Sequence, residues 1–174
     1  TSCTTVCPAP PASGWSQVAT ADHDWLPDAN GTGSFATGPG GDNTTGLNGP
    51  GNYVYLETSS PCDVVGSSAG LLSPAFDVSA FGFDPQLEFA WHMYGATMGT
   101  LLVEVEDPAG SNNWSTAFTR SGQFQTDELD PYVTEIVPLS LTGGGTFRAR
   151  FTGTANGGFT GDMALDDICV KEAP

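Results

Sequence analysis

At 174 residues the chain is long enough for one sizeable core and too short for two ordinary domains. Its 20 acidic residues against four Lys and Arg give a net charge of −16, which excludes nucleic acid and anionic membrane surfaces as partners, since both need cations. No apolar run approaches the ~20 residues of a membrane span, and Thr1 opens the chain without the charged and apolar regions of a leader, so any leader is expected to have been removed or to lie upstream.

Residues 1–13 are rich in Cys and Pro and read as an arm. Short alternating runs follow around Trp15 and Trp25. Residues 31–51 hold eight glycines and two prolines, which predicts a long loop within one domain, the kind that is functional or held by a ligand. Further alternating runs occur at 52–58, 71–78, 86–92, 100–106, 113–120, 132–139, 145–151 and 163–170. In the central stretch Leu87, Phe89 and Trp91 share one face, with Glu88, Ala90 and His92 opposite. After a turn through Gly95 and Gly99, Leu101, Val103 and Val105 oppose Leu102, Glu104 and Glu106. A period of two on both limbs predicts two antiparallel strands, each buried on at least one side. No stretch carries the 3.6-residue period of a long helix. With 23 glycines and 13 prolines as punctuation, the pattern predicts an all-β, antiparallel two-sheet β-sandwich. The last residues, 170–174, read as the chain running into a neighbouring module of a larger protein.

Four cysteines, Cys3, Cys7, Cys62 and Cys169, suit two disulfides in an oxidising compartment and lack zinc-site spacing. Three pairings are possible; Cys3–Cys7 with Cys62–Cys169 is preferred, because the second would tie the last strand to an early loop.

Trp91-His92-Met93-Tyr94-Gly95, followed by Met98-Gly99, Leu101 and Val103, resembles the central signature of the MAM domain, the extracellular module of meprin, the A5 antigen and receptor phosphatase mu. Six more ordered blocks are similar to that family, one of them Ala69-x-Leu71-x-Ser73-Pro74. The others are Gly14-Trp15-Ser16-Gln17; Asp22-His23-Asp24-Trp25; Gly38-Pro39 with Asp42-Asn43-Thr44-Thr45-Gly46; Gly51 through Tyr53 to Glu57; and Gly161-Asp162-Met163-Ala164-Leu165-Asp166-Asp167-Ile168. Asn43 stands where the family usually has His. The typical opening Phe-Glu is absent, and Cys62 precedes the Ala69 to Pro74 block instead of following it, so the family's disulfides do not carry over. These departures point to a divergent, bacterial or marine, member. The resemblance implies a jelly-roll-like sandwich over residues 1–174, secreted or on a cell surface. It also implies a non-catalytic role in recognition or adhesion through a protein partner, and a structural Ca²⁺ or Na⁺ ion.

For that ion the sequence offers Asp42 and Asp167 first, then Asp24, Asp166 and Asp22. Carboxylates with Asn side chains and loop carbonyls are the hard oxygen donors Ca²⁺ takes. The bland reading is that Asp42 caps a turn and that Asp166-Asp167 marks a bulge. His23 and His92 are the only histidines, and no nucleophile–base motif accompanies them, so an enzyme is not expected. The alternative function is a carbohydrate-binding module for an extracellular polysaccharide. It would use Trp114 or Tyr132 as an exposed platform and Arg148 and Arg150, which alternate on one strand, to grip an anionic sugar.

Overall fold

A computed structural model describes residues 14–143 and 145–173. The Cys- and Pro-rich arm and its Cys3–Cys7 pairing lie outside them. Eleven strands form among the described residues: β1 (Ser16–Gln17), β2 (Leu26–Asp28), β3 (Tyr53–Leu56), β4 (Ser68–Leu72), β5 (Phe76–Asp77), β6 (Pro85–Met93), β7 (Thr100–Glu106), β8 (Trp114–Ser121), β9 (Val133–Pro138), β10 (Thr146–Thr154) and β11 (Met163–Glu172). One sheet runs β1-β4-β10-β7-β8, with β5 also on β10; the other runs β2-β3-β11-β6-β9. All these strand pairs are antiparallel. The architecture is the expected two-sheet sandwich.

The alternation places side chains as period-two reasoning requires. Leu87, Phe89 and Trp91 of β6 face Leu101, Val103 and Val105 of β7 and Phe147, Ala149 and Phe151 of β10, all in one core. Phe89 meets Phe151 edge-on with centroids 5.3 Å apart. The two limbs of the central stretch are not partners in one ladder, however. β6 pairs with β9 and β11, whereas β7 pairs with β8 and β10. Both limbs carry an apolar face that the same core must bury, so they meet across the core. The glycine turn between them carries the chain from one sheet to the other.

The run at 71–78 is interrupted. Ser73 takes its place opposite Ala149 by donating its N–H to the Ala149 carbonyl and accepting the Ala149 N–H on its hydroxyl. Pro74 then separates β4 from β5, both of which pair with β10.

The glycine-rich stretch 31–51 covers the outer face of the second sheet. Residues 37–42 are buried, and beneath this covering lie Tyr53, Tyr55 and Ala164, with Leu26 and Tyr132 packed beside them. That third layer explains why all four residues of β3 are buried and why His92 is fully buried on the outward face of β6.

Candidate functional site

The five candidate aspartates separate into two groups. Asp42, Asp166 and Asp167 converge where the glycine-rich loop crosses β11. Asp42 Oδ1 accepts the N–H groups of Thr44 (3.1 Å) and Thr45 (2.7 Å) and the Thr45 hydroxyl (2.8 Å). Asp166 Oδ2 accepts the Asn43 N–H at 2.9 Å, and Asp167 Oδ2 accepts Asn43 Nδ2 at 2.8 Å and Thr44 Oγ1 at 2.9 Å. Asp167 sits at positive φ (48°), where the register of β11 on β6 shifts between Asp166 and Cys169. Burial pushes Asp166 up to about 6. Burial also pushes Asp42 upward, but hydrogen bonds from Thr45, Asp166 and Thr44 outweigh it and hold Asp42 below the usual carboxylate range.

Asp22 and Asp24 do not join them. The β2–β3 register sets Leu26 opposite Tyr55 and Asp28 opposite Tyr53, so Asp24 precedes the end of β2 that lies away from Asp42. Asp22 instead accepts the Ser68 N–H at 2.9 Å at the start of β4. The sequence expectation that all five meet needed the first and last strands to be neighbours; β1 lies in the sheet opposite β11. Among the described residues no three His, Cys, Asp or Glu side chains are grouped so as to hold a metal ion.

A different carboxylate has an oxygen to spare. Asp162, immediately before β11, is fully buried. Its Oδ1 accepts the N–H and hydroxyl of Thr58, each at 3.0 Å, while Oδ2 has no partner at hydrogen-bond geometry, although the Thr32 hydroxyl, like Thr58, acts to hold the carboxyl's pKa down. Its own N–H donates to Thr37 Oγ1 (2.9 Å), whose hydroxyl donates to the Tyr94 carbonyl (3.0 Å). Gly161 N–H donates to the Thr58 hydroxyl at 3.1 Å. Burial first, and Glu57 second, push Asp162 up to about 6. An orphaned buried carboxylate oxygen costs free energy that a cation would recover. Asp162, the Thr58 and Thr37 oxygens bonded to it, and Glu57, close enough to raise it electrostatically, are hard oxygen donors of the type a cation takes, so the chemistry of the residues fits one. Sequence reasoning quoted Asp162 and Glu57 as motif residues without giving them a role. The available signal was a lone acid opening the apolar run Met163-Ala164-Leu165.

The candidate sugar platforms are engaged elsewhere. The Arg150 guanidinium lies over the Trp114 ring at 4.2 Å, and its Nε and Nη2 donate to Glu104 Oε2 at 2.9 and 2.7 Å. Arg148 lies 3.9 Å from Glu106, whose oxygens already accept the N–H groups of Gly110 and Asn112. Tyr132 packs 5.3 Å from His92 and donates its hydroxyl to the Gly41 carbonyl at 3.1 Å, so it is a wall of the third layer instead of an exposed ring.

The favoured Cys62–Cys169 pairing is corrected. Cys169 is a free thiol, and Cys62 is itself disulfide-bonded. Cys62 lies at the end of the sandwich where β3 leaves β11, with Leu56 opposite Met163. Cys169 lies six residues along β11 from Met163, on the order of 20 Å at the strand rise, whereas a disulfide needs Cα atoms within about 7 Å.

The same end of the sandwich carries exposed apolar side chains. Phe35 is 77% exposed and Phe159 47%, yet their rings meet with centroids 6.0 Å apart. The loops that carry them are fixed. Ser34 and Ser59 hydroxyls bond at 2.8 Å, Thr97 N–H donates to the Thr160 carbonyl at 3.1 Å, and Gly66 N–H donates to the Ala155 carbonyl at 2.9 Å. Val64 and Val65 are exposed on the neighbouring loop.

The family model of the MAM domain, meprin/A5/mu, matches residues 7–174. MAM domain-containing glycosylphosphatidylinositol anchor protein 1 of Rattus norvegicus is 29% identical over 161 residues, which cover 91% of this chain and 16% of that protein. The corresponding protein 2 of Homo sapiens is 27% identical over 176 residues, covering 91% and 17%. The chain thus spans only about a sixth of the length of the curated relatives it matches. Among solved structures, the K1 cleaved adhesin domain of Lys-gingipain from Porphyromonas gingivalis W83 superimposes with a TM-score of 0.55 at 16% identity, covering 92% of this chain and 91% of that one. The non-crystalline cellulose specific carbohydrate-binding module CBM28 does so at 0.54 and 13%, covering 92% and 89%. At such identities the likeness is one of fold alone.

Proposed function

The chain belongs to the MAM domain family, and on that premise we propose that it is a non-catalytic recognition module, extracellular or on a cell surface, that docks a protein partner as part of a larger protein. The observation that carries this reading is the Phe35–Phe159 pair. Two exposed aromatic rings in contact on hydrogen-bonded loops, with Val64 and Val65 also exposed on a neighbouring loop, are unusual for a surface that meets only solvent. Large rigid aromatics on fixed loops are the anchors that protein interfaces place at their centres.

A structural cation at Asp162 belongs to the same reading. Asp162 and Glu57 would hold it with the neighbouring threonine oxygens. When bound, a Ca²⁺ or Na⁺ ion there would neutralise two carboxylates and tie loops 31–41 and 57–67 to the start of β11. The residues of this chain would then present Phe35 and Phe159 in one arrangement. The carbohydrate reading loses its named platforms, since Arg150 covers Trp114 and Tyr132 is packed inward.

The test is adhesion of beads coated with the domain to the producing cells, before and after surface proteolysis or glycosidase treatment. Adhesion lost on proteolysis, and lost with a Phe35→Ser/Phe159→Ser double variant, supports the reading. Loss on glycosidase treatment alone would transfer it to carbohydrate. No adhesion in any arm would leave a spacer.

A further inference from the structure

We propose that the groove between Gly40–Leu47 and Glu128–Tyr132 takes a long cationic side chain, Lys or Arg, from a segment of a partner protein. This is a second surface, distinct from the aromatic pair, and the proposal does not depend on that pair being an anchor. The groove encloses about 200 Å³. Pro39, Gly40 and Tyr132 line it together with Leu47 and Leu129, which are 56% and 70% exposed. Two such exposed leucines facing one depression are poorly placed for a surface that meets only water.

The groove is built by close approach. Gly40 N–H donates to the Glu128 carbonyl at 2.7 Å, and the Tyr132 hydroxyl to the Gly41 carbonyl. A Cβ at Gly40 would lie 2.8 Å from Leu129 Cδ2 and 3.3 Å from the Glu128 carbonyl oxygen. A Cβ at Gly41 would lie 2.7 Å from the Leu47 nitrogen. The Gly-Gly pair therefore lets the two walls come together, and the shape exists before any partner arrives.

Charge selects the occupant. Glu128 and Asp130 line the groove beside the buried Asp42, whose Oδ1 is held by Thr44 and Thr45, and Asn43 bridges it to Asp166 and Asp167. Hydrogen bonds from Thr126 and Asp127 to Asp130 keep that carboxyl below its usual range, so it is anionic at physiological pH. None of the protein's own four Lys and Arg residues reaches these acids. Arg148, Arg150 and Lys171 pair with Glu106, Glu104 and Glu88, and Arg120 lies over the Trp91 and Phe124 rings. Acids alone would make only a solvated face. Acids around an apolar groove match a side chain that is itself apolar along its stem and cationic at its head. An aliphatic side chain would fill the walls but dehydrate the carboxylates without replacing their water.

The experiment is titration of the ¹⁵N-labelled domain with acetyl-arginine amide and with its neutral isostere acetyl-citrulline amide, at low salt. The expected result is saturable shifts confined to Gly40, Gly41, Leu47, Leu129 and Tyr132, at least tenfold weaker affinity for citrulline, and loss of the shifts at high salt. Leu47→Ser/Leu129→Ser, both at exposed positions, should weaken arginine at least fivefold while leaving the spectrum folded. Equal response to citrulline, shifts spread over the acidic surface without saturation, or an unaffected double variant would each overturn the proposal. None of these readouts involves adhesion, so failure here and failure of the adhesion assay are separate results.

Discussion

Thr58 gives both its backbone N–H and its hydroxyl to one oxygen of Asp162, each at 3.0 Å, and the other oxygen is buried without a partner at hydrogen-bond geometry, with only the Thr32 hydroxyl acting beside Thr58 to lower the carboxyl's pKa. A carboxylate half-satisfied in this way is costly unless something positive completes it. Cation binding to the folded state alone raises stability by RT ln(1 + [L]/Kd), about 2.7 kcal/mol at a hundredfold excess. For a chain of this size that is a rise of roughly 5–10 °C in the unfolding midpoint on going from EDTA to Ca²⁺ at matched ionic strength. Asp162→Asn should abolish the difference, whereas Asp22→Asn should preserve it. Equal midpoints for the wild type in both buffers, with metal analysis of the purified protein finding nothing, would remove the cation.

The same carboxyl sets a pH dependence in EDTA. Its folded value, about 6, lies above the ordinary 3.8, so folding favours the protonated form. Stability from this group is fully present below about 3.8 and is lost as pH rises through about 6. The difference of about 2 units amounts to roughly 3 kcal/mol over the window. Asp166, also pushed up to about 6, acts in the same direction but is only half-buried and more screened. His92 opposes them: burial lowers it to about 4, so its contribution is present above 6.5 and is lost on acidification through 4. Comparing wild type with Asp162→Asn cancels both. In EDTA the wild type should gain on the variant as pH falls from 7 to 4, and Ca²⁺ should erase that gain. Parallel curves would refute the assignment.

The fold was legible because sandwich strands announce themselves by alternation, and Leu87, Phe89, Trp91, Leu101, Val103 and Val105 all reach the core that their spacing requires. Alternation does not say which sheet a strand joins, so the placing of β6 and β7 in opposite sheets emerges only in the folded chain. The site was only partly legible. Asp42, Asp166 and Asp167 share a loop–strand crossing that the motifs suggested, while Asp22 and Asp24 depended on a topology the sequence does not encode locally. Asp162 went unassigned because its distinguishing property, an unpartnered oxygen at zero exposure, exists only once Thr58, Thr37 and the glycine-rich loop are folded over it.

Gly99 was visible as a turn residue, but its reason is tertiary. A Cβ there would lie 1.8 Å from the Thr154 carbonyl oxygen, a backbone atom of β10 that cannot yield without breaking the β10–β7 ladder. Gly99→Ala should cost at least the roughly 1–3 kcal/mol typical of overpacking, and more because backbone must move. Gly110 has positive φ and open space, so Gly110→Ala should lose only about 1 kcal/mol from backbone conformation. Urea unfolding of the two variants checks the order, and a reversed order would contradict the crossover geometry.

Cysteine chemistry separates the two ends of β11. Cys169 is free, half-buried beside Glu88, and burial raises its thiol above the ordinary value, so it should alkylate slowly but completely in the native protein. Cys62 should stay unmodified until reductant is added. Cys169→Ser should leave the unfolding midpoint within about 2 °C of wild type, since no covalent link is lost. Cys62→Ser removes a disulfide and should cost roughly 2–4 kcal/mol. Peptide mapping after iodoacetamide treatment distinguishes the residues. Labelling of Cys62 before reduction, or protection of Cys169 throughout, would restore the pairing that the β11 geometry rejects.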